Sequence, residues 1–468
     1  SYLYFAAQSS PTYARLPYID LLTDTATSNV LATFAVLPEL LGYTTEKNYL
    51  VLFQNNGELR PTGGFIGSVG ELRIKNGRVE EFVIQDVYDI DGQIKTHTEP
   101  PFVVRRYLQP HLYLRDSNFA LDFQEAATTA AQLYREGGGE TVDGVIGIDY
   151  DVLKKVIEVT GPLTLPTYNK TIDEKTGFDF IQSTIEDTFS PGNSQKRGLL
   201  SEIFSQLTFK LESPQNLFAI AKTLPELVEQ KHILFAFKDP VLQEIFTVQK
   251  YGGTLTSQRN TQTNTLPEYL MVNEANIGIN KANTSITRTV SLYQRLSEKS
   301  LVSNATLTLD NARGKEAYKV YVRFVVPQTS TFEELSINGT VTPTTTAITS
   351  ARLYEAPSFT PPKDIELTQE NYQDKTVFGF VHTVPAGKKD TFTMTYSRDI
   401  QLPTESFIYE LTYQTQPGTH NTPFALSLEF PDTFTAHDKK TGSVAQKKFS
   451  VSQVTAQDIE VLVDFQKK

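Results

Sequence analysis

The apolar residues of this chain change their spacing near residue 283, and that change divides the fold. Upstream, short continuous apolar runs such as 49–53 (YLVLF) and 142–148 (VDGVIGI) alternate with helical stripes such as Val152, Leu153, Val156 and Ile157. Strands that are apolar throughout belong to sheets covered on both faces, so this part reads as an α/β layer structure. Downstream the spacing becomes two. Tyr318, Val320, Val322 and Phe324 share a face, as do Phe407, Tyr409, Leu411 and Tyr413, then Phe424, Leu426, Leu428 and Phe430, and finally Ile459, Val461, Val463 and Phe465. Short alternating strands separated by Pro, Gly, Asn and Thr turns predict an all-β, immunoglobulin-like sandwich. The expected units are an N-terminal helical segment over 1–47, an α/β domain over 48–283 and a β-sandwich over 284–468.

Local signals fill in the α/β part. The apolar spacing over 31–41, closed by Gly42, predicts a helix. Asn76-Gly77 inside the alternating stretch 70–84 predicts a hairpin with a type I′ turn. Asp122 caps an Ala-rich helix over 124–134, broken by Gly137-Gly138-Gly139, and Asp149 caps the next, which Gly161-Pro162 ends. Helices are also expected over 197–210 and 240–249. Residues 268–276 (EYLMVNEAN) read as a further strand completing the same sheet.

Composition removes several kinds of function. With no Cys, the chain has no disulfide, thiolate metal site or cysteine nucleophile. Its 43 Lys and Arg against 54 Asp and Glu leave a net charge of −11, which gives no general attraction for nucleic acid. No apolar stretch approaches the roughly 18 residues of a membrane span. Two Met and no Trp lean toward a protein working outside the cytoplasm, where oxidisable side chains are a liability. The chain begins at Ser1 without a basic-then-apolar signal, so a processed N-terminus and a missing anchor are expected.

The chemistry-bearing segment is 54–70, QNNGELRPTGGFIGSVG, which combines one Arg with a glycine-rich turn. Thr62, Gly63 and Gly64 let backbone amides approach an anion, and the planar fork of Arg60 suits phosphate or carboxylate. The alternative is a tight turn with Arg60 paired to an internal acid such as Glu58 or Asp86. The pattern lacks the Gly-Lys-Ser/Thr ending of a P-loop and the spacing of a dinucleotide fingerprint. Ser68 lies in no nucleophile elbow. Asp86, Asp89 and Asp91 in QDVYDIDG are spaced to hold a hard cation or simply to form a solvated acidic loop. Asp116 and Asn118 repeat the polar theme. Lys196 and Arg197 open a helix, where an anion is favoured, or are ordinary surface cations. Histidines 97, 111, 232, 382, 420 and 437 are dispersed without a metal-binding spacing.

These residues carry a resemblance. NYLVLFQNNGELRPTGGFIGSVGELRIKNGRV, DSNFALDF, VDGVIGIDYDVLKKVIEVTGPL, VNEANIGINKAN and TVFGFVHTVPAGKKDTFTMTY look like the bacterial cell-envelope family catalogued as Domain of Unknown Function 4012. The match runs from about Pro38 to about Tyr396 and implies an extracytoplasmic, membrane-tethered protein. A more distant resemblance is to the LytR-CpsA-Psr family, which transfers glycopolymers from polyprenyl pyrophosphate lipids to the cell wall. It implies an α/β/α sandwich core, with Arg60 and Arg197 on pyrophosphate and Asp86 on Mg²⁺. Gln85 stands where that family has an arginine, the Asp of its Arg-Ser-Asp segment is absent, and its Arg-x-Arg-His segment has no counterpart.

Two functions follow. In one, the protein binds a polyprenyl-linked glycan in the envelope and transfers it to the cell wall. In the other, it is a non-catalytic surface protein whose α/β domain is a scaffold and whose β-sandwich mediates adhesion or self-assembly.

Overall fold

The computed structural model describes residues 35–187, 194–257, 264–403 and 405–468. Residues 35–40 are helical, whereas Leu31 and Phe34 of the expected N-terminal helix lie outside the described residues.

Three antiparallel strands open the α/β unit: β1 (Lys47–Arg60), β2 (Gly63–Lys75) and β3 (Arg78–Asp86). Asn76 and Gly77 turn between β2 and β3 at φ 50° and 73°, the left-handed pair a type I′ turn needs. The chain crosses over through the helix Phe123–Glu136 to β4 (Gly144–Asp149), which lies parallel to β1. A small ribbon of β5 (Leu163–Leu165) and β6 (Lys170–Ile172) follows, and β7 (Ile233–Phe237) closes the main sheet antiparallel to β4. The order is β3-β2-β1-β4-β7.

Both faces of this sheet are covered. Leu50 and Leu52 of β1 pack with Ala126, Ala130 and Leu133 of the crossover helix. Tyr49 and Phe237 pack on the opposite side with Val36, Leu242 and Phe246. Asp122 and Asp149 cap their helices through the amides of Gln124 and Asp151, so the capping residues read in the sequence do the work expected of them.

The rest of the chain forms a seven-stranded and a nine-stranded sheet. All sixteen residues of the four period-two sets lie in one shared core, three sets on the nine-stranded sheet and Phe424, Leu426 and Leu428 of the remaining one on the seven-stranded sheet with Leu292, Leu307 and Phe392. The alternation is thus the signature of two sheets packed face to face.

One expectation is corrected. The strand Thr265–Asn276 does not complete the α/β sheet; it lies inside the nine-stranded sheet between Tyr318–Pro327 and Ser406–Gln414. The change of sheet therefore precedes residue 265, ahead of the 283/284 boundary. The physical reason is coverage on both faces. Leu270 and Val272 enter the sandwich core, whereas Tyr269 and Met271 pack with Leu121, Leu255 and Val325 on the outer side. A strand buried twice loses its alternation and reads like one from an α/β sheet.

The two units meet where Gly418 of the sandwich sits against Gly63. Gly418 has φ +79°, and a Cβ there would stand 2.5 Å from the Gly63 carbonyl oxygen. Gly418→Ala is expected to lower unfolding free energy by about 1–3 kcal/mol, read as a lower urea midpoint.

Candidate functional site

Arg60 ends β1 and Gly63 begins β2, so Pro61-Thr62 form a hairpin tip that carries the whole Gly-rich motif. This tip abuts the outer side of the nine-stranded sheet. Asn273 Nδ2 donates to the Pro61 carbonyl at 3.0 Å, and Gln416 Nε2 to the Arg60 carbonyl at 3.0 Å.

The Arg60 side chain is only 2% exposed. Its Nη2 pairs with Glu58 at 2.9 Å and Asp116 at 3.4 Å, and its Nη1 donates to the Asn276 carbonyl. The rings of Phe65 and Phe119 stand 5.7 and 5.5 Å from the guanidinium carbon. Of the two readings of Arg60, the internally paired one describes its position, with Asp116 rather than Asp86 beside Glu58.

The glycines face inward as well. Gly64 donates its amide to Gln54 Oε1 at 2.8 Å, and Asn118 Nδ2 donates to that oxygen at 3.2 Å and to the Gly64 carbonyl at 2.8 Å. Thr62 Oγ1 donates to the Asn118 carbonyl at 3.4 Å. A Cβ on Gly64 would lie 2.2 Å from the Asn55 carbonyl oxygen, so the residue is small because β1 passes against it.

Asp116 continues the network. It accepts from Gln109 at 2.6 Å and lies 3.7 Å from Arg115 Nε, while Arg115 Nη1 pairs with Asp91 at 2.8 Å. Charges alternate from Glu58 through Arg60, Asp116 and Arg115 to Asp91. Burial raises Glu58 above the usual carboxylate range although Arg60 pulls it down. Burial likewise pushes Asp91 up to about 6 against the pull of Arg115.

The other expected site residues are placed apart. Asp86 accepts the Tyr88 amide at 2.9 Å and caps the short helix Val87–Asp91. Asp89 is exposed on that helix, and Gln85 hydrogen-bonds Tyr134. Lys196 and Arg197 fall in the helix Ser194–Leu211, but their side chains lie outside the described residues. Among the described residues, Asp86 belongs to no set of three carboxylate or imidazole ligands.

Among the described residues, one such set does converge: Asp149, Asp151 and His232, with ligand atoms all within 4.8 Å of one another. Asp149 ends β4, Asp151 lies in the next helical turn, and His232 directly precedes β7. This is the C-terminal edge of the parallel pair β1 and β4, where α/β sheets commonly place ligands. His232 Nδ1 lies 2.7 Å from Asp149 and 3.8 Å from Asp151, and Asn56 Nδ2 donates to Asp151 at 2.8 Å. Burial alone would lower the His232 pKa, but the hydrogen bond and charge of Asp149 outweigh it and raise it. The set was not found in the sequence because Asp149 reads as a helix cap, which it also is, and His232 is 83 residues away. No local spacing announces such a group.

Residues 45–185 match the family model described as "Protein of unknown function (DUF4012)". No curated protein matches. Solved structures with local likeness include the Lin1025 protein from Listeria innocua, at 11% identity over 44% of this chain and 78% of that one, with a TM-score of 0.26. The transcriptional regulator yvhJ from Bacillus subtilis is 12% identical over 46% of this chain and 79% of that one, also with a TM-score of 0.26. A putative nutrient binding protein from Legionella pneumophila is 9% identical over 38% of this chain and 66% of that one, with a TM-score of 0.24. At these scores the likenesses carry no argument about fold or function.

Removing Arg60 leaves Glu58 and Asp116 facing each other without their shared cation. Arg60→Ala is expected to destabilise the protein by about 3–5 kcal/mol in urea unfolding. Asp91 gives a pH signature. Its folded pKa of about 6 exceeds an unfolded value of about 3.9, so its contribution favours folding below about pH 4 and is lost as pH rises through 6. From about pH 7 to about pH 4, wild type should therefore gain stability over Asp91→Asn by about 2 kcal/mol.

Proposed function

We propose that this chain is a non-catalytic, extracytoplasmic cell-surface protein in which the α/β unit is a scaffold and the β-sandwich carries assembly. The observation that carries this reading is the internal pairing of Arg60, the sole cation of the Gly-rich segment, whose two terminal nitrogens are taken by Glu58, Asp116 and the Asn276 carbonyl. A pyrophosphate at Arg60 would have to displace two buried carboxylates, and breaking a buried pair costs about 3–5 kcal/mol. Gln54 occupies the Gly64 amide that an anion would use.

The open edge of the seven-stranded sheet supports assembly. Among the described residues its last strand, Lys448–Thr455, pairs on one side only, and Val454 is 65% exposed. Unpaired strand backbone of this kind is a template for another chain. The absence of Cys suits an exported protein. We read the five-stranded sheet and its helices as a LytR-CpsA-Psr-like core on the order of strand, Gly-rich turn and hairpin, and the two-sheet region as immunoglobulin-like on its alternating strands.

The glycan-transfer reading, with Arg60 and Arg197 on a polyprenyl pyrophosphate and Mg²⁺ at Asp86, makes the opposite forecast. Purified protein is to be extracted with organic solvent for mass spectrometry, and melted with and without polyprenyl pyrophosphate and Mg²⁺. No co-purified lipid and an unchanged melting temperature are expected. Lipid bound by wild type and lost in Arg197→Ala would overturn the proposal. Sedimentation should show concentration-dependent self-association that Val454→Lys weakens.

A further inference from the structure

The acidic and imidazole groups at the end of β4 are not used by the proposed function. Asp149 and His232 are 3% and 6% exposed, and Asp151 is 18% exposed. Two carboxylates thus flank one imidazole in a largely dry site, so three metal-ligating side chains converge there. Opposite them, His420 lies between the sandwich strands Ser406–Gln414 and Thr422–Glu429; its side chain is 65% exposed and outside the three that converge, and its Nδ1 is 3.8 Å from the same Asp151 oxygen that faces His232, so its ring must turn inward to join them.

We propose that Asp149, Asp151 and His232 bind a divalent transition-metal ion of the zinc class, and that His420 supplies a fourth ligand from the sandwich. The metal would then clamp the two units to each other.

The distances fit such an ion. Tetrahedral ligands about 2.0–2.2 Å from Zn²⁺ lie roughly 3.3–3.6 Å from one another. The observed separations of 2.7 Å from His232 to Asp149 and 3.8 Å from His232 to Asp151 bracket that span. The ligands are also held in place. Asp149 Oδ1 is fixed by capping its helix, which leaves Oδ2 toward the site, and Asn56 orients Asp151 as an outer-shell partner. Asn56 is itself fixed, since its carbonyl accepts from Asn283 Nδ2 at 2.6 Å. Imidazole donors select a transition metal over Mg²⁺ or Ca²⁺, which prefer all-oxygen sets. On binding, the ion displaces the proton shared between His232 and Asp149 to solvent, so uptake releases a proton.

The test is equilibrium dialysis of chelator-stripped, full-length protein against Zn²⁺, with elemental analysis and thermal melting. One Zn²⁺ per chain and a raised melting temperature are expected, with no shift for Mg²⁺. Both effects should vanish in Asp151→Asn, which leaves the Asp149 cap intact, and in His232→Gln. His420→Ala should weaken affinity by more than the roughly 10- to 100-fold that loss of an outer-shell partner costs. Melting of each metal-free variant shows that it is folded. No uptake by wild type, or uptake unchanged in Asp151→Asn, overturns the site; unchanged affinity in His420→Ala overturns the clamp between units.

Discussion

The middle strands of the nine-stranded sheet are buried on both faces, and the rest of the molecule is arranged around that constraint. One face contributes Val320, Val322 and Phe324 to the sandwich core, while Tyr321 and Val325 turn to the α/β unit. A polar side chain in such strands has no solvent to fall back on and must find a partner within the protein. Asn273, Glu274, Asn276 and Arg323 are all buried in them. Glu274 is held by both arms of Arg288 and by the Tyr318 hydroxyl, and Asn273 accepts from Arg323.

These pairings reach across to β1 and β2. Arg288 also donates to Asn283, whose amide donates to the Asn56 carbonyl, and Asn273 and Gln416 hold the carbonyls of Pro61 and Arg60. The hairpin tip therefore supplies hydrogen-bonding groups that the doubly covered sheet requires. That gives Glu58-Leu59-Arg60-Pro61-Thr62-Gly63-Gly64 a structural reason for its composition. Arg bridges two acids and a carbonyl, and the glycines let the backbones approach.

The same geometry concentrates unused chemistry elsewhere. The parallel pair β1 and β4 ends beside β7, and the approach of the sandwich brings His420 over that edge. Charge within the Arg60 network alternates along the chain of contacts. It alternates through Asp149, His232 and Asp151 as well, but an imidazole has a ring-nitrogen lone pair to offer a metal ion and a guanidinium has none, and that separates a group with capacity for a cation from one that is only a joint.

The local fold was largely legible from residue order. Asn76-Gly77 determines its turn, Asp122 and Asp149 their helix caps, and the period-two sets their common core, because each depends on backbone geometry or on one face being buried. The strand Thr265–Asn276 was legible as a strand but not as a member of its sheet, since burial on both faces erases the alternation that distinguishes architectures. Sequence alone also set out the two possible fates of Arg60. Only the tertiary structure brought Asp116 and the Asn276 carbonyl to the guanidinium, and only it joined His232 to Asp149 across 83 residues. Turns and caps are fixed by neighbours in the chain, whereas the partner of a buried charge is fixed by whichever distant element covers it.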